Sequence, residues 1–330
     1  MSIKKAELHV HLEGSISPSL FCKLSQRNKL SIPQGLISDD QQSYHYRDFL
    51  DFLKSYDAVA AAIKCPQDYY DVTFDYLRSN ALEQAIYIEM MYSPDHAEMS
   101  SNIPSAEHLT AIQQAIDDAY DQFQIMGRII ITAVRHFGDE AAIRVAKHGV
   151  SADFPCIVGF GLGGDELNFP PKLFKKAYEI AAEGGLHCTI HAGEHASAAG
   201  MREAMDNLPI QRIGHGVNAI HCKETIAQLK DKNIALEVCP TSNVALGLFD
   251  SVENHPIRDL QRHGLSISIN SDDPPFFRTT LANEYALVQK TFQYSDAAML
   301  HFTEMAIRAA FVDEATKSLL LSRLASTEIA

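Results

Sequence analysis

Eight short apolar or β-branched segments recur along the chain, and most are followed by a stretch of helical periodicity. The segments are Ala6–Leu12, Ala85–Tyr92, Arg128–Val134, Cys156–Phe160, Leu186–His191, Arg212–His215, Ile234–Cys239 and Leu265–Asn270. Helical patterns fill Ala106–Gln124, Asp139–His148, Pro171–Glu183, Met201–Asn207, Lys223–Lys230 and His255–Arg262. The strands are mostly apolar on both faces, as parallel strands covered by helices must be. Repeated β-α units leave two architectures, a closed parallel barrel or an open doubly wound sheet. The count of eight favours closure, and so does the absence of a GxGxxG turn after the first strand. The expectation is an α/β fold, a (β/α)8 TIM barrel. Pro170-Pro171 reads as a helix start, and Gly184-Gly185, Gly149 and Gly264 as helix stops.

Extra helical material lies at about residues 15–80, after the first strand, and more follows the eighth. No polar low-complexity linker separates either part, so residues 1–330 read as one barrel domain with a helical cap or flank. In that cap Phe49, Phe52, Leu53 and Tyr56 form an apolar stripe that lids a pocket or packs on the barrel. The chain carries 28 Lys and Arg against 42 Asp and Glu, a formal charge of −14. A general nucleic-acid binder needs a basic face, so nucleic acid is an unexpected partner. No run reaches the roughly 18 apolar residues of a membrane span, and no secretory leader follows Met1. The six cysteines are widely spread without a CxxC pair, which suits a reduced, cytoplasmic protein.

In such a barrel, reactive groups collect at the C-terminal ends of strands, and the unusual polar residues fall there. In Leu8-His9-Val10-His11-Leu12-Glu13-Gly14, a period of two puts His9 and His11 on one face. They either converge on a zinc ion or simply hydrogen-bond at a strand end. Thr189-Ile190-His191-Ala192-Gly193-Glu194 offers a further imidazole, and after a small Ala-Gly pair a carboxylate that either returns over the site or forms an ion pair. His215 stands between Gly214 and Gly216, exposed to whatever occupies the centre, or else is a turn histidine. In Asn270-Ser271-Asp272-Asp273-Pro274-Pro275 two adjacent carboxylates repel one another, a conflict that a cation resolves. A helix N-cap explains one of them but not both. The fourth strand ends in Gly159-Phe160-Gly161-Leu162-Gly163-Gly164-Asp165-Glu166, with no Lys to bridge two ions, so one metal is expected. That loop lacks the ending of a P-loop and suits close backbone approach to a flat ligand.

The segments HVHLEG, TIHAGE, IGHGV, EVCPTSN and SINSDDPP, in this order and spacing, resemble the adenosine deaminase family of amidohydrolase barrels over Glu7 to about Leu324. The resemblance implies a hydrolase with one zinc ion per subunit, held by His9, His11, His191 and Asp272. Glu194 is then similar to the acid that protonates purine N1. His215 is similar to the residue that orients or deprotonates the attacking water, with Asp272 also among the catalytic groups. Asp273 matches the residue that binds N7, and Gly164 the one whose N–H meets N3; His11 also counts among the substrate contacts. Glu13 stands where the family usually has an Asp that binds the ribose 5′ hydroxyl, and Gly161 where it commonly has Asp.

Within the family, an adenine-specific branch tends to read D-S-S-E in the glycine loop and I-D-H-G at the histidine. This chain reads Gly164-Asp165-Glu166 and Ile213-Gly214-His215-Gly216, which favours a purine nucleoside. The expected reaction is hydrolytic deamination of adenosine or deoxyadenosine. The alternatives are deamination of aminodeoxyfutalosine, adenine or an N6-substituted adenine nucleotide, and then a purine-binding protein without catalysis. Against the last, binding alone needs no water-activating cluster.

Overall fold

The computed structural model describes residues 3–326. The chain runs β1 (Lys5–Glu7), α1 (Pro18–Arg27), α2 (Phe49–Ala60), α3 (Pro66–Leu82), β2 (Ala85–Tyr92), α4 (Pro94–Ser101), α5 (Ser105–Phe123) and β3 (Met126–Val134). It continues through α6 (Asp139–Ser151), β4 (Ile157–Gly163), α7 (Lys175–Glu183), β5 (His187–Ala192), α8 (Ala198–Asn207), β6 (Arg212–His215) and α9 (Lys223–Asp231). The remainder is β7 (Ala235–Val238), α10 (Pro240–Ala245), α11 (Ile257–Arg262), β8 (Ile267–Ile269), α12 (Leu281–Phe292), α13 (Asp296–Ala309) and α14 (Glu314–Ala325). The strands are all parallel, each beside the next in sequence order. This is the (β/α)8 barrel expected from the eight apolar segments.

The apolar runs follow from burial on both faces. In β3, Ile129 and Ile131 join the core shared with the helices, while Ile130 clusters with Met91 and Phe311. Phe311 comes from the turn between α13 and α14, so a C-terminal segment fills the barrel floor. There Arg212 reaches Glu89 at 2.5 Å and Glu237 at 2.6 Å, and its guanidinium lies 3.4 Å from the Phe311 ring centroid. Tyr87 and the Phe311 amide also donate to Glu89. All three charged residues are fully buried, yet each of their polar atoms has a partner.

Two local expectations are corrected. The first strand ends at Glu7, because side chains take over the seam beyond it. Asn270 Oδ1 accepts the Leu8 N–H, and the Glu7 carboxylate accepts from the Ser271 amide and hydroxyl. Closure is then completed by single bridges, Val10 with Asp272 and His11 with Met91. Gly149 does not stop its helix, which runs on to Ser151. A Cβ there would lie 3.2 Å from Leu186, so Gly149 serves close packing instead.

Between β1 and β2, α2 lies at the barrel mouth and α3 packs against α5. No helix among the described residues is long and apolar enough to cross a membrane. All six cysteines are free.

Candidate active site

The polar residues singled out at strand ends meet at one rim of the barrel. His9, His11, His191 and Asp272 each offer one ligand atom, and these atoms all lie within 4.8 Å of one another. His11 Nε2 is 3.3 Å from His191 Nε2, and Asp272 Oδ1 is 3.5 Å from His9 Nε2 and 3.4 Å from His11 Nε2. The His9 and His191 rings are held from behind. His9 Nδ1 faces Glu237 Oε2 at 2.8 Å, and His191 Nδ1 faces the Leu162 carbonyl at 3.2 Å. Asp272 Oδ2 accepts the Ser242 hydroxyl at 2.6 Å.

His9 Nε2 is a buried atom with no hydrogen-bond partner. Three imidazoles and a carboxylate around such an orphan form the donor set that suits zinc or a similar borderline cation. Against burial, the carboxylates of Asp272 and Glu237 raise His9 to about 10, and those of Asp273 and Asp272 raise His11. Burial, then the charges of His9, His215 and His11, hold His191 well below the ordinary range. Burial opposes ionisation of Asp272, but the His11 and His9 rings beside it hold its carboxyl well below the usual carboxylate range. His191 is therefore neutral and Asp272 ionised, the forms that bind metal, while His9 keeps a proton that a bound cation would displace.

Glu194 and His215 stand beside this set. Glu194 Oε1 is 3.6 Å from His215 Nδ1. Burial, followed by the charges of Asp272 and Glu166, raises the Glu194 carboxyl well above its usual value, so the acid form persists. Burial pushes His215 down to about 3, so its ring is neutral. Both His215 and Asp272 adopt left-handed backbone, φ +59° and +64°, which a side chain accepts only under constraint. Gly214 leaves room for His9, since a Cβ there would lie 2.7 Å from its ring.

A cavity of about 240 Å³ opens over the cluster. Its wall includes Gly163 and Gly164 of the glycine loop, Thr132 of β3, and Phe52, Leu53 and Tyr56 of α2. Asp273 also lines it, with Oδ1 buried and unpartnered. Burial, then the neighbouring Asp272 charge, pushes the Asp273 carboxyl up. A Cβ on Gly14 would fall 1.7 Å from that Oδ1, so only glycine lets Asp273 take this position. Of the apolar stripe, Phe52, Leu53 and Tyr56 face the cavity, while the Phe49 side chain lies outside the described residues. Phe277 joins the wall and stacks on Phe52 at 5.4 Å.

Glu13 is the residue the fold sets apart. It is 3% exposed, accepts a hydrogen bond from Tyr69 at 2.8 Å, and is absent from the cavity wall. Sequence reasoning assigned no role to Glu237, Ser242, Asn243 or His255, which brace the cluster from below. The short polar run after the seventh strand, Thr241-Ser242-Asn243, was the available signal.

The sequence model of the adenosine deaminase family matches residues 4–327. The chain belongs to the adenosine deaminase family. An adenine deaminase of Rhizobium leguminosarum bv. trifolii is 39% identical over 324 residues, 98% of this chain and 99% of that one. The crystal structure of adenine deaminase from Arthrobacter aurescens superposes with a TM-score of 0.93 at 30% identity, covering 99% of this chain and 100% of that one. An amidohydrolase from Burkholderia ambifaria, determined with bound Zn, superposes at 0.90 with 26% identity, covering 99% and 90%. This member of the family is an aminohydrolase that acts on a cyclic amidine C–N bond. The Burkholderia relative holds Zn, and the His9, His11, His191 and Asp272 donors of this chain fit a metal cofactor. The relatives carry the adenine name, so they support that alternative and not the adenosine preference drawn from Gly164-Asp165-Glu166 and Ile213-Gly214-His215-Gly216.

Proposed function

We propose that this chain deaminates free adenine to hypoxanthine and ammonia, with one zinc ion per subunit held by His9, His11, His191 and Asp272. The observation that carries the substrate is the relatives' own activity, named adenine deaminase along 98% of this chain. The seating of Glu13 supports it. The carboxylate expected near a ribose hydroxyl accepts from Tyr69 and is not part of the cavity wall.

Bound zinc supplies Lewis-acid activation of water, which is otherwise a poor nucleophile at neutral pH. The protein's own groups do the rest. Attack at C6 breaks the purine's aromaticity, and protonation at N1 relieves the charge; buried, protonated Glu194 holds that proton. Gly164 presents a backbone N–H to N3, and Asp273 faces N7, fixing the ring plane against the β3 and β4 ends. His215 faces the attacking oxygen. These contacts strengthen as the ring loses aromaticity, which is binding directed at the transition state.

The test is kcat/KM, followed by absorbance, for adenine, adenosine, deoxyadenosine, N6-methyl-AMP and aminodeoxyfutalosine. Adenine should lead by at least about two orders of magnitude, within what a hydrogen-bonding pocket can discriminate. A preference of that size for any other member would overturn the assignment.

A further inference from the structure

Asn243 and His255 lie in line behind His215, both buried and neither in the cavity wall. The hydrogen bonds through them fix where each ring proton sits. The Ile257 amide donates to His255 Nδ1 at 3.2 Å, so that nitrogen carries a lone pair. Burial pushes His255 down to about 3, which keeps the ring neutral with its single proton on Nε2. Nε2 then donates to Asn243 Oδ1 at 3.2 Å. With its oxygen committed, Asn243 turns its amide nitrogen to His215 Nδ1, 3.3 Å away. An amide nitrogen only donates, so His215 Nδ1 accepts. With a lone pair on Nδ1, the ring is neutral and its single proton is on Nε2. One backbone N–H thus sets the orientation of an amide and the tautomers of two histidines.

We propose that Asn243 and His255 are positioning residues that hold His215 in its Nε2–H form, making it a hydrogen-bond donor to the attacking oxygen and not the base that removes its proton. The proposal rests on the deaminase reading of the site. Protons then pass through Glu194 alone. Glu194 gives its proton to N1, and its carboxylate takes one from water as the O–C6 bond forms. It passes that proton to the amino nitrogen, and the C6–N bond breaks as ammonia leaves with the electron pair. The hydroxyl proton of the resulting C6–OH returns to Glu194, leaving the 6-oxo purine with hydrogen on N1. The sum is adenine plus water to hypoxanthine plus ammonia.

Two measurements test this. Long-range 15N NMR of the zinc-loaded protein labelled at histidine, with His215 assigned by its absence in a His215→Gln variant, should show the Nε2–H tautomer. Asn243→Asp is isosteric but only accepts, so it should move the His215 proton to Nδ1. In that variant kcat for adenine should fall at least about tenfold, as is usual for outer partners of catalytic groups, with KM within about threefold. An Nδ1–H tautomer in the parent, or an unchanged or raised kcat in Asn243→Asp, would overturn the proposal; a raised kcat is what a base would give. If Asn243→Asp does not fold, His255 variants replace it. His255→Gln keeps a donor to Asn243 and should retain kcat, whereas His255→Leu frees the amide to flip and should lose it. Equal kcat in the two overturns the proposal. A parent inactive on the whole substrate panel removes the functional reading, while the NMR result still decides the tautomer.

Discussion

Two buried polar clusters sit one above the other in this barrel, and they are built on opposite principles. On the floor, Arg212 lies between Glu89 and Glu237, and every charged atom has a partner within the protein. At the rim, His9 Nε2 and Asp273 Oδ1 are buried without one, and His215 and Asp272 sit in strained backbone. Removing charge from water is costly unless partners replace it. The floor supplies those partners itself and is architecture. The rim leaves its donors and acceptors open, which is tolerable only where a cation and a polar ring complete them. Glu237 belongs to both, with Oε1 on Arg212 and Oε2 on His9.

The contrast breaks most visibly if the two clusters respond alike to mutation. His191→Ala should abolish both turnover and bound zinc, measured by metal analysis after dialysis; stoichiometric zinc at normal affinity would remove His191 from the set. Glu89→Gln should cost about 3–5 kcal/mol of stability in chemical denaturation, because its amide nitrogen would face a buried guanidinium. A loss below about 1 kcal/mol would mean that the floor cluster is not what closes the barrel. Glu194→Gln should do the reverse. Its kcat should fall by more than about a hundredfold, since an amide cannot release a proton to N1. Its melting temperature and zinc content should stay near those of the parent. Full activity in this variant would end the acid assignment.

The same division explains what could be read from the sequence. The barrel was legible because its strands are apolar on both faces, and the rim because His9, His11, His191 and Asp272 fall at strand ends. Residues that act through a third party were not. Asn243 and His255 look like ordinary helix and loop residues until folding stacks them behind His215. Glu13 keeps an acidic side chain near the site, but Tyr69, 56 positions away, draws it out of the cavity. Gly149 resembles a helix stop because its real constraint, the Leu186 side chain, comes from another element.

The smallest expected effect concerns Glu284, a buried acid in neither cluster. Burial pushes its carboxyl up to about 7, although hydrogen bonds from Thr241 and Thr279 oppose the shift. The ordinary value is 4.5. From there up to about 7 the folded protein keeps a proton that the unfolded chain has lost. Its contribution to stability is therefore complete below about 4.5 and declines as pH rises through about 7. Glu284→Gln makes the group permanently neutral, with its oxygen free to accept from the Thr241 amide and its nitrogen to donate to the Thr279 hydroxyl. Melting curves of the metal-free protein from pH 5 to 8 should fall less steeply in the variant, by a few degrees across the range. Parallel curves would mean that Glu284 ionises in place without cost, and that this part of the interior is wetter than its burial implies.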